Sequence, residues 1–188
     1  MNDTRVKILE AVLTEFKEKG SKFTMDDVAS DLHMSKKTIY KEFDDKEEIF
    51  DALVDYCFDS IKEKEAEVLA DDSLSTVEKI EKIMICMPDK YRDVDFRKVF
   101  TLKDKYPKIY AKVQKRLEND WGDTIGLIEK GIAEGKVRDL PIPVIKAMTE
   151  ASIERFLSSD VLLEGNTTYE DALQVMIDII MRGICVDK

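Results

Sequence analysis

The chain has 188 residues, 44% of them hydrophobic and 37% charged, with 30 Lys or Arg against 40 Asp or Glu and a formal charge of −10. That is enough chain to bury a core, as one ordinary domain or two small ones, and the balance excludes a disordered polymer. It also excludes binding to nucleic acid through net charge alone, which calls for a basic protein.

No run approaches the roughly eighteen apolar residues of a membrane span, and the opening MNDTRVKILEAVLTEF has no signal-peptide apolar core. A cytoplasmic location is therefore expected. Helical period dominates and Gly and Pro are sparse, which predicts an all-α fold of about nine helices.

A first helix is predicted from about Thr4 to Lys19, with Ile8, Leu9, Val12, Leu13 and Phe16 on its inner face and Gly20 as its stop. Thr24 then stands three residues before Asp27, the spacing of a capping box, and Val28, Ala29 and Leu32 give the next short helix one apolar face. After His33 a further short segment opens on Ser35 as N-cap. It buries Ile39 and Phe43 and turns Lys36, Lys37, Tyr40 and Lys41 outward. Such a face can donate to phosphates and to acceptor atoms on base edges.

Residues 1–60 carry nine basic and fifteen acidic residues, a balance of −6, yet His33 to Lys41 holds three lysines and no acid. Carboxylates beyond a Debye length of about 8 to 10 Å are largely screened, so the local patch governs contacts at this face. The global charge weakens non-specific binding and sharpens its salt dependence.

A fourth helix begins after Asp44 or Asp45 and runs through Phe50, Leu53, Cys57, Phe58 and Ile61 to about Leu69, too long for a small head alone. The pattern restarts at Ser75 with Glu78 and halts at Pro88. Further helices are predicted over about Val94 to Lys105, from Pro107 to Gly135, from Pro143 to Leu163, and from Thr167 or Thr168 to Ile184. The last two carry dense apolar residues: Ile153, Phe156, Leu157 and Val161 in one, and Leu173, Met176, Ile177, Ile180, Met181 and Ile184 in the other. They read either as core helices or as a self-complementary surface joining two copies.

Cys57, Cys86 and Cys185 are odd in number and far apart inside apolar helical patterns, so they read as buried thiols in a reducing compartment. One histidine and no paired cysteines argue against a metal site. GIAEGK places three residues between its glycines where a phosphate loop needs four, and GxSxG, HExxH and Glu-x-x-His patterns are absent. No enzymatic activity and no cofactor are expected.

Met34, Ser35, Lys36, Lys37, Thr38, Ile39 and Tyr40, followed by Phe43, Lys46 and Glu47, stand in register with a known motif. It reads approximately Val-Ser-Lys-Gly-Thr-Leu-Tyr, then Phe and Lys-Glu. Through it the chain resembles the tetracycline-repressor (TetR) family of bacterial transcription regulators. The likeness covers residues 4 to about 53, and weaker likenesses lie in GIAEGKVRD and TTYEDALQVMIDIIMRGI.

The resemblance implies a three-helix helix-turn-helix DNA-binding head over residues 1–47 and a helical ligand-binding and dimerisation bundle over 48–188. It implies that Thr24, Ser35, Thr38, Tyr40 and Lys46 touch phosphates, while Lys36, Lys37 and Lys41 approach base edges or flanking phosphates. Apart from the resemblance, Ser35 and Thr38 read as caps and the lysines as a solvated face.

His33 stands where the family has glycine, as a left-handed turn residue or a phosphate contact rather than a metal ligand or pH sensor. Glu42 stands where the family has a neutral or aromatic residue. It either repels phosphates, at about 1 kcal/mol, or pairs with Lys46 one turn on.

The implied function is a homodimeric regulator, a repressor in most of the family, that binds a pseudo-palindromic operator and is released by a small-molecule effector. The effector pocket would lie between about Ser75 and Leu163 and draw on Phe58, Met84, Tyr91, Phe96, Phe100, Tyr110, Trp121, Met148 and Phe156. Ile153, Leu157, Val161, Met176, Ile177, Ile180, Met181 and Ile184 would form the dimer interface. The alternative is a helical dimeric interaction protein whose degenerate helix-turn-helix does not bind DNA, which the net charge favours.

Overall fold

The computed structural model describes residues 2–91, 94, 95 and 97–186. Its α-helices in chain order are α1 (Asp3–Lys19), α2 (Met25–Asp31), α3 (Lys36–Ile39), α4 (Lys46–Ala70), α5 (Thr76–Met84) and α6 (Arg97–Phe100). They continue as α7 (Leu102–Lys105), α8 (Pro107–Asn119), α9 (Gly122–Ala133), α10 (Ile142–Ser158), α11 (Val161–Glu164) and α12 (Tyr169–Ile184). Among the described residues the only β pairing is an isolated antiparallel bridge between Val137 and Cys185, so the fold is all-α as expected. None of these helices is long and apolar enough to cross a membrane.

Three helices predicted as continuous are broken. The Pro107 to Gly135 pattern divides at Asp120 and Trp121, where Lys62 takes the Asp120 carbonyl at 2.9 Å and Arg116 the Asp120 carboxylate at 2.7 Å. Asn119, Asp120 and Gly122 are poor helix formers, so the break costs little. The Pro143 to Leu163 pattern starts at Ile142 and stops at the Ser158-Ser159 pair, leaving α11 separate. Within the Val94 to Lys105 span, Thr101 separates α6 from α7.

By contact the chain divides into two compact units, Met1–Asp59 with Asp93–Lys115, and Ser60–Arg92 with Arg116–Lys188. The first unit thus reaches past residue 47 and takes in α6, α7 and the start of α8.

In the first unit, α1 starts on Asn2, whose side chain accepts from the Arg5 amide at 2.8 Å, and stops at Gly20, whose φ of 58° suits glycine. Its buried stripe includes Ile8, Leu9, Val12, Leu13 and Phe16, the predicted face. Phe23, Val28, Ile39, Phe43, Ile49 and Phe50 complete the core, none more than 1% exposed. Phe50 lies at its centre, 6.0 Å from the Phe16 ring, 5.5 Å from Phe23 and 4.9 Å from Tyr106. Each such side chain contributes about 1.5 to 3 kcal/mol by burial.

Lysines hold the rest of this unit. Lys98 of α6 donates to the Lys17 and Glu18 carbonyls, which the last turn of α1 leaves without intrahelical partners. Lys112 of α8 pairs with Asp51 at 2.8 Å and Asp55 at 2.7 Å on α4. Lys46 turns inward, donating to the carbonyls of Ser21, at 3.0 Å, and Phe23, with its ammonium 3.7 Å from the centre of the Phe23 ring. Burial, and secondly the Lys105 charge, push its amine down to about 8.

In the second unit, α5 packs against α9 and α12, and α12 against α10. Ser75 and Glu78 form the predicted capping box at the start of α5, and Thr168 caps α12. Their core gathers Ile80, Ile83, Leu127, Ile128, Val137, Ile145, Leu173 and Ile177. Gly131 lets α9 approach the bridge residue Val137, since a Cβ there would lie 2.7 Å from Val137 Cγ2.

Gly131→Ala should therefore destabilise the protein by about 1 to 3 kcal/mol in urea unfolding, and Val137→Ala in the same chain should restore part of the loss. Lys46→Met, which strips the Ser21 and Phe23 carbonyls of their donor, should cost about 1 to 2 kcal/mol at neutral pH. Because the folded amine titrates near 8 and the unfolded one near about 10.4, only the native state loses its proton between those values, and stability rises with pH there. Unfolding free energies of wild type and Lys46→Met measured from pH 7 to 10 should diverge in favour of wild type.

Candidate nucleic-acid interface

The face predicted to meet DNA is built by two caps and one left-handed turn. Thr24 and Asp27 close the capping box of α2: the Thr24 amide donates to Asp27 Oδ2 at 2.6 Å, and the Asp27 amide to Thr24 Oγ1 at 3.2 Å. Donation from the Thr24 amide, then from Lys19, holds the Asp27 carboxyl down to about 2.

At the other end of α2, His33 has φ 51°. Its amide donates to the Ser30 carbonyl at 3.2 Å and the Met34 amide to Ala29 at 2.9 Å, the paired bonds that close a helix through a left-handed residue. The imidazole is exposed. His33 therefore serves as the turn residue that glycine supplies elsewhere, with its ring turned to solvent.

Ser35 caps α3, accepting from the Thr38 amide at 3.1 Å, and the two hydroxyls lie 2.9 Å apart. Beyond Ile39 the chain keeps turning, with the Glu42 and Phe43 amides both donating to the Ile39 carbonyl. Ile39 and Phe43, 0% and 1% exposed, seat this turn on the core and leave Lys37, Tyr40 and Lys41 outward, Tyr40 at 45% exposure. Ser35, Lys36, Lys37, Tyr40 and Lys41 are thus exposed, as are Thr24 and His33 at the two ends of α2, and Thr38 is half-buried.

Two predicted contacts are placed otherwise. Lys46 spends its ammonium on the Ser21 and Phe23 carbonyls, so it braces the link between α1 and α2 from within and does not face outward with the other lysines. It does not take up Glu42 either. Glu42 instead accepts from Asn2 Nδ2 at 3.0 Å, which draws its carboxylate toward the start of α1.

Sequence reasoning missed Arg5, the only arginine before residue 92. Its guanidinium lies 4.0 Å from the centre of the Phe43 ring, donates to the Glu42 carbonyl and pairs with Glu48 at 3.0 Å. It fixes the turn between α3 and α4. The signal was a lone arginine in a lysine-rich segment, whose planar fork suits stacking and several acceptors at once. Asp26 was missed as well; both of its oxygens contact Lys36, at 3.0 and 3.2 Å.

The expected dimer residues are mostly core. Leu157, Met176, Ile177, Met181 and Ile184 are buried, and Ile153 and Ile180 pack against them half-buried; of the predicted set only Val161 is exposed. The exposed apolar stripe lies on the opposite flank of the same two helices: Val144 and Met148 on α10 at 54% and 58%, Val175 and Ile179 on α12 at 58% and 65%. An open groove of about 480 Å³ runs along it, lined by Met148, Ser152, Phe156, Val175, Ile179 and Ile180.

The pocket pool is scattered. Phe58, Phe100 and Tyr110 belong to the first unit, the latter two in edge contact at 5.7 Å, while Met84, Tyr91, Trp121, Met148 and Phe156 belong to the second. Phe96 lies outside the described residues. Met148 is on the outer surface and not in an enclosed pocket. All three cysteines are partly buried, and burial pushes the Cys86 thiol up to about 11, far from a reactive thiolate.

Residues 8–53 match the model for bacterial regulatory proteins of the tetR family. Over 97% of its length the chain is 22% identical to YvaF of Bacillus subtilis, an uncharacterized HTH-type transcriptional regulator of which it covers 96%. It is 25% identical over 65% of its length, and 60% of the relative's, to IcaR of Staphylococcus aureus, the HTH-type negative transcriptional regulator of the biofilm operon icaADBC. The fold matches the ketosteroid transcriptional regulator KstR2 of Mycobacterium tuberculosis with a TM-score of 0.63 at 19% identity, covering 100% of this chain and 97% of that one. A transcriptional regulator of the TetR/AcrR family from Thermobifida fusca matches with a TM-score of 0.69 at 22% identity, covering 97% of this chain and 98% of that one. Residues 8–53, the helix-turn-helix head, are thus similar to bacterial regulatory proteins of the tetR family, and the chain as a whole shares the fold of these regulators.

Proposed function

We propose that residues 1–47 read a pseudo-palindromic operator as one of two heads in a homodimer, and that residues 48–188 supply dimerisation and an effector site. The observation that carries this reading is the surface of α3: Lys37, Tyr40 and Lys41 exposed on a turn whose other side is anchored by Ile39 and Phe43. Thr24, Ser35 and Thr38 flank it with hydroxyls suited to phosphate oxygens. Two heads would enter successive major grooves, about 34 to 36 Å apart. Repression is the favoured direction, since the relative IcaR is a negative regulator.

For the dimer, Val144, Met148, Val175 and Ile179 support self-association through α10 and α12, because exposed apolar residues at helical spacing on two adjacent helices form a surface that a second copy covers well. Release would follow from an effector in the helices from about Ser75 to Leu163 that favours one spacing of the heads by a few kcal/mol.

In an anisotropy titration with the DNA upstream of the chain's own coding sequence, Lys37→Ala and Lys41→Ala should each weaken binding several-fold and flatten its salt dependence by about one counterion. Unchanged affinity in both would remove the α3 face from the interface. Absence of any DNA binding at low salt, with clean dimerisation, would support the interaction-protein alternative. Sedimentation of Ile179→Glu should give a mass near 21.7 kDa where wild type gives twice that value.

A further inference from the structure

The acidic head carries its own competitor for DNA. Asp26, in the first turn of α2, holds the Lys36 ammonium between its two carboxylate oxygens at 3.0 and 3.2 Å, in the exposed stretch that also carries Ser35, Lys37, Tyr40 and Lys41. Among the described residues Lys37 and Lys41 have no ion-pair partner, so Lys36 alone of the three is neutralised in the DNA-free head. The capping carboxylate next to it, Asp27, is committed to Thr24 and Lys19 and does not share the role.

We propose that Asp26 is a specificity-determining residue that keeps Lys36 from phosphates until base contacts compensate for its release. The inference rests on the DNA-binding reading of α3. Binding to arbitrary duplex is driven almost wholly by lysine–phosphate contacts and counterion release, and it carries no sequence information. A lysine that must first leave a carboxylate adds little to that term. The carboxylate it leaves behind then faces the phosphates, a second penalty that only additional contacts offset. Specific binding, with direct contacts to base edges, supplies those contacts; random sequence does not. An exposed ion pair is weak, so the restraint is a few-fold effect rather than a block.

The test is a double-mutant cycle on affinity for a fluorescent duplex of arbitrary sequence, about 30 base pairs long, at about 50 mM salt. Asp26→Asn keeps the shape of the side chain and leaves the Thr24–Asp27 capping box untouched. It should tighten binding about two- to fivefold, and the gain should vanish in a Lys36→Ala background. No gain from Asp26→Asn alone, with wild type binding measurably, overturns the inference and leaves the DNA-binding reading standing. An equal gain with and without Lys36 also overturns it, because the carboxylate would then act as diffuse repulsion. If neither wild type nor Asp26→Asn binds duplex DNA, the reading of α3 falls and the inference with it.

Discussion

A helix of four residues has no stability of its own, because closing one turn orders several residues for a single hydrogen bond. The conformation of α3 therefore depends on what is attached to it: Ile39 and Phe43 sunk in the core, Ser35 capping its start, and Arg5 gripping the turn that follows. Every outward side chain proposed to meet DNA inherits its position from those attachments. The left-handed residue His33 sets where α2 stops and so where this one turn begins. An asparagine or glycine satisfies the same geometry, whereas a β-branched residue would be strained there.

Charge in the head is handled by local assignment. Of fifteen acids in residues 1–60, several are occupied in defined contacts: Asp27 with Thr24 and Lys19, Glu48 with Arg5 and the Asp44 amide, Glu42 with Asn2. Asp51 and Asp55 take Lys112. These pairs draw negative charge toward α1 and α4. A short stretch around α3 is left positive on a protein whose net charge is −10.

Features resting on contacts within three to five residues were legible in the sequence. The Thr24–Asp27 and Ser75–Glu78 boxes, the Ser35 cap and the His33 turn all appear at the predicted positions, since their geometry is fixed by adjacent backbone. What escaped involves partners distant in sequence. Nothing near Lys46 announces that the Ser21 and Phe23 carbonyls will claim it, and the nine residues between Asp26 and Lys36 span a turn whose direction had to be known first. On α12 the obstacle was different. Val175, Met176, Ile177, Ile179, Ile180 and Met181 are apolar nearly all round, so the pattern located a helix with two apolar sides without saying which side the core would take.

The three lysine contacts that tie α6, α8 and the start of α4 into the first unit bear on how separable this head is. Lys98 satisfies the carbonyl end of α1, Tyr106 packs its ring at a tilt against Phe50, and Lys112 clamps α4 from a position more than fifty residues downstream. A DNA-reading module is usually pictured as a contiguous block that evolution or an engineer can graft onto another regulator. Here the block is discontinuous: a transplant ending near residue 59 would leave behind a cap, a ring and a counter-charge that only the original downstream helices provide. Divergence in those helices is thereby constrained by the head, even at residues far in sequence from the face proposed to meet DNA.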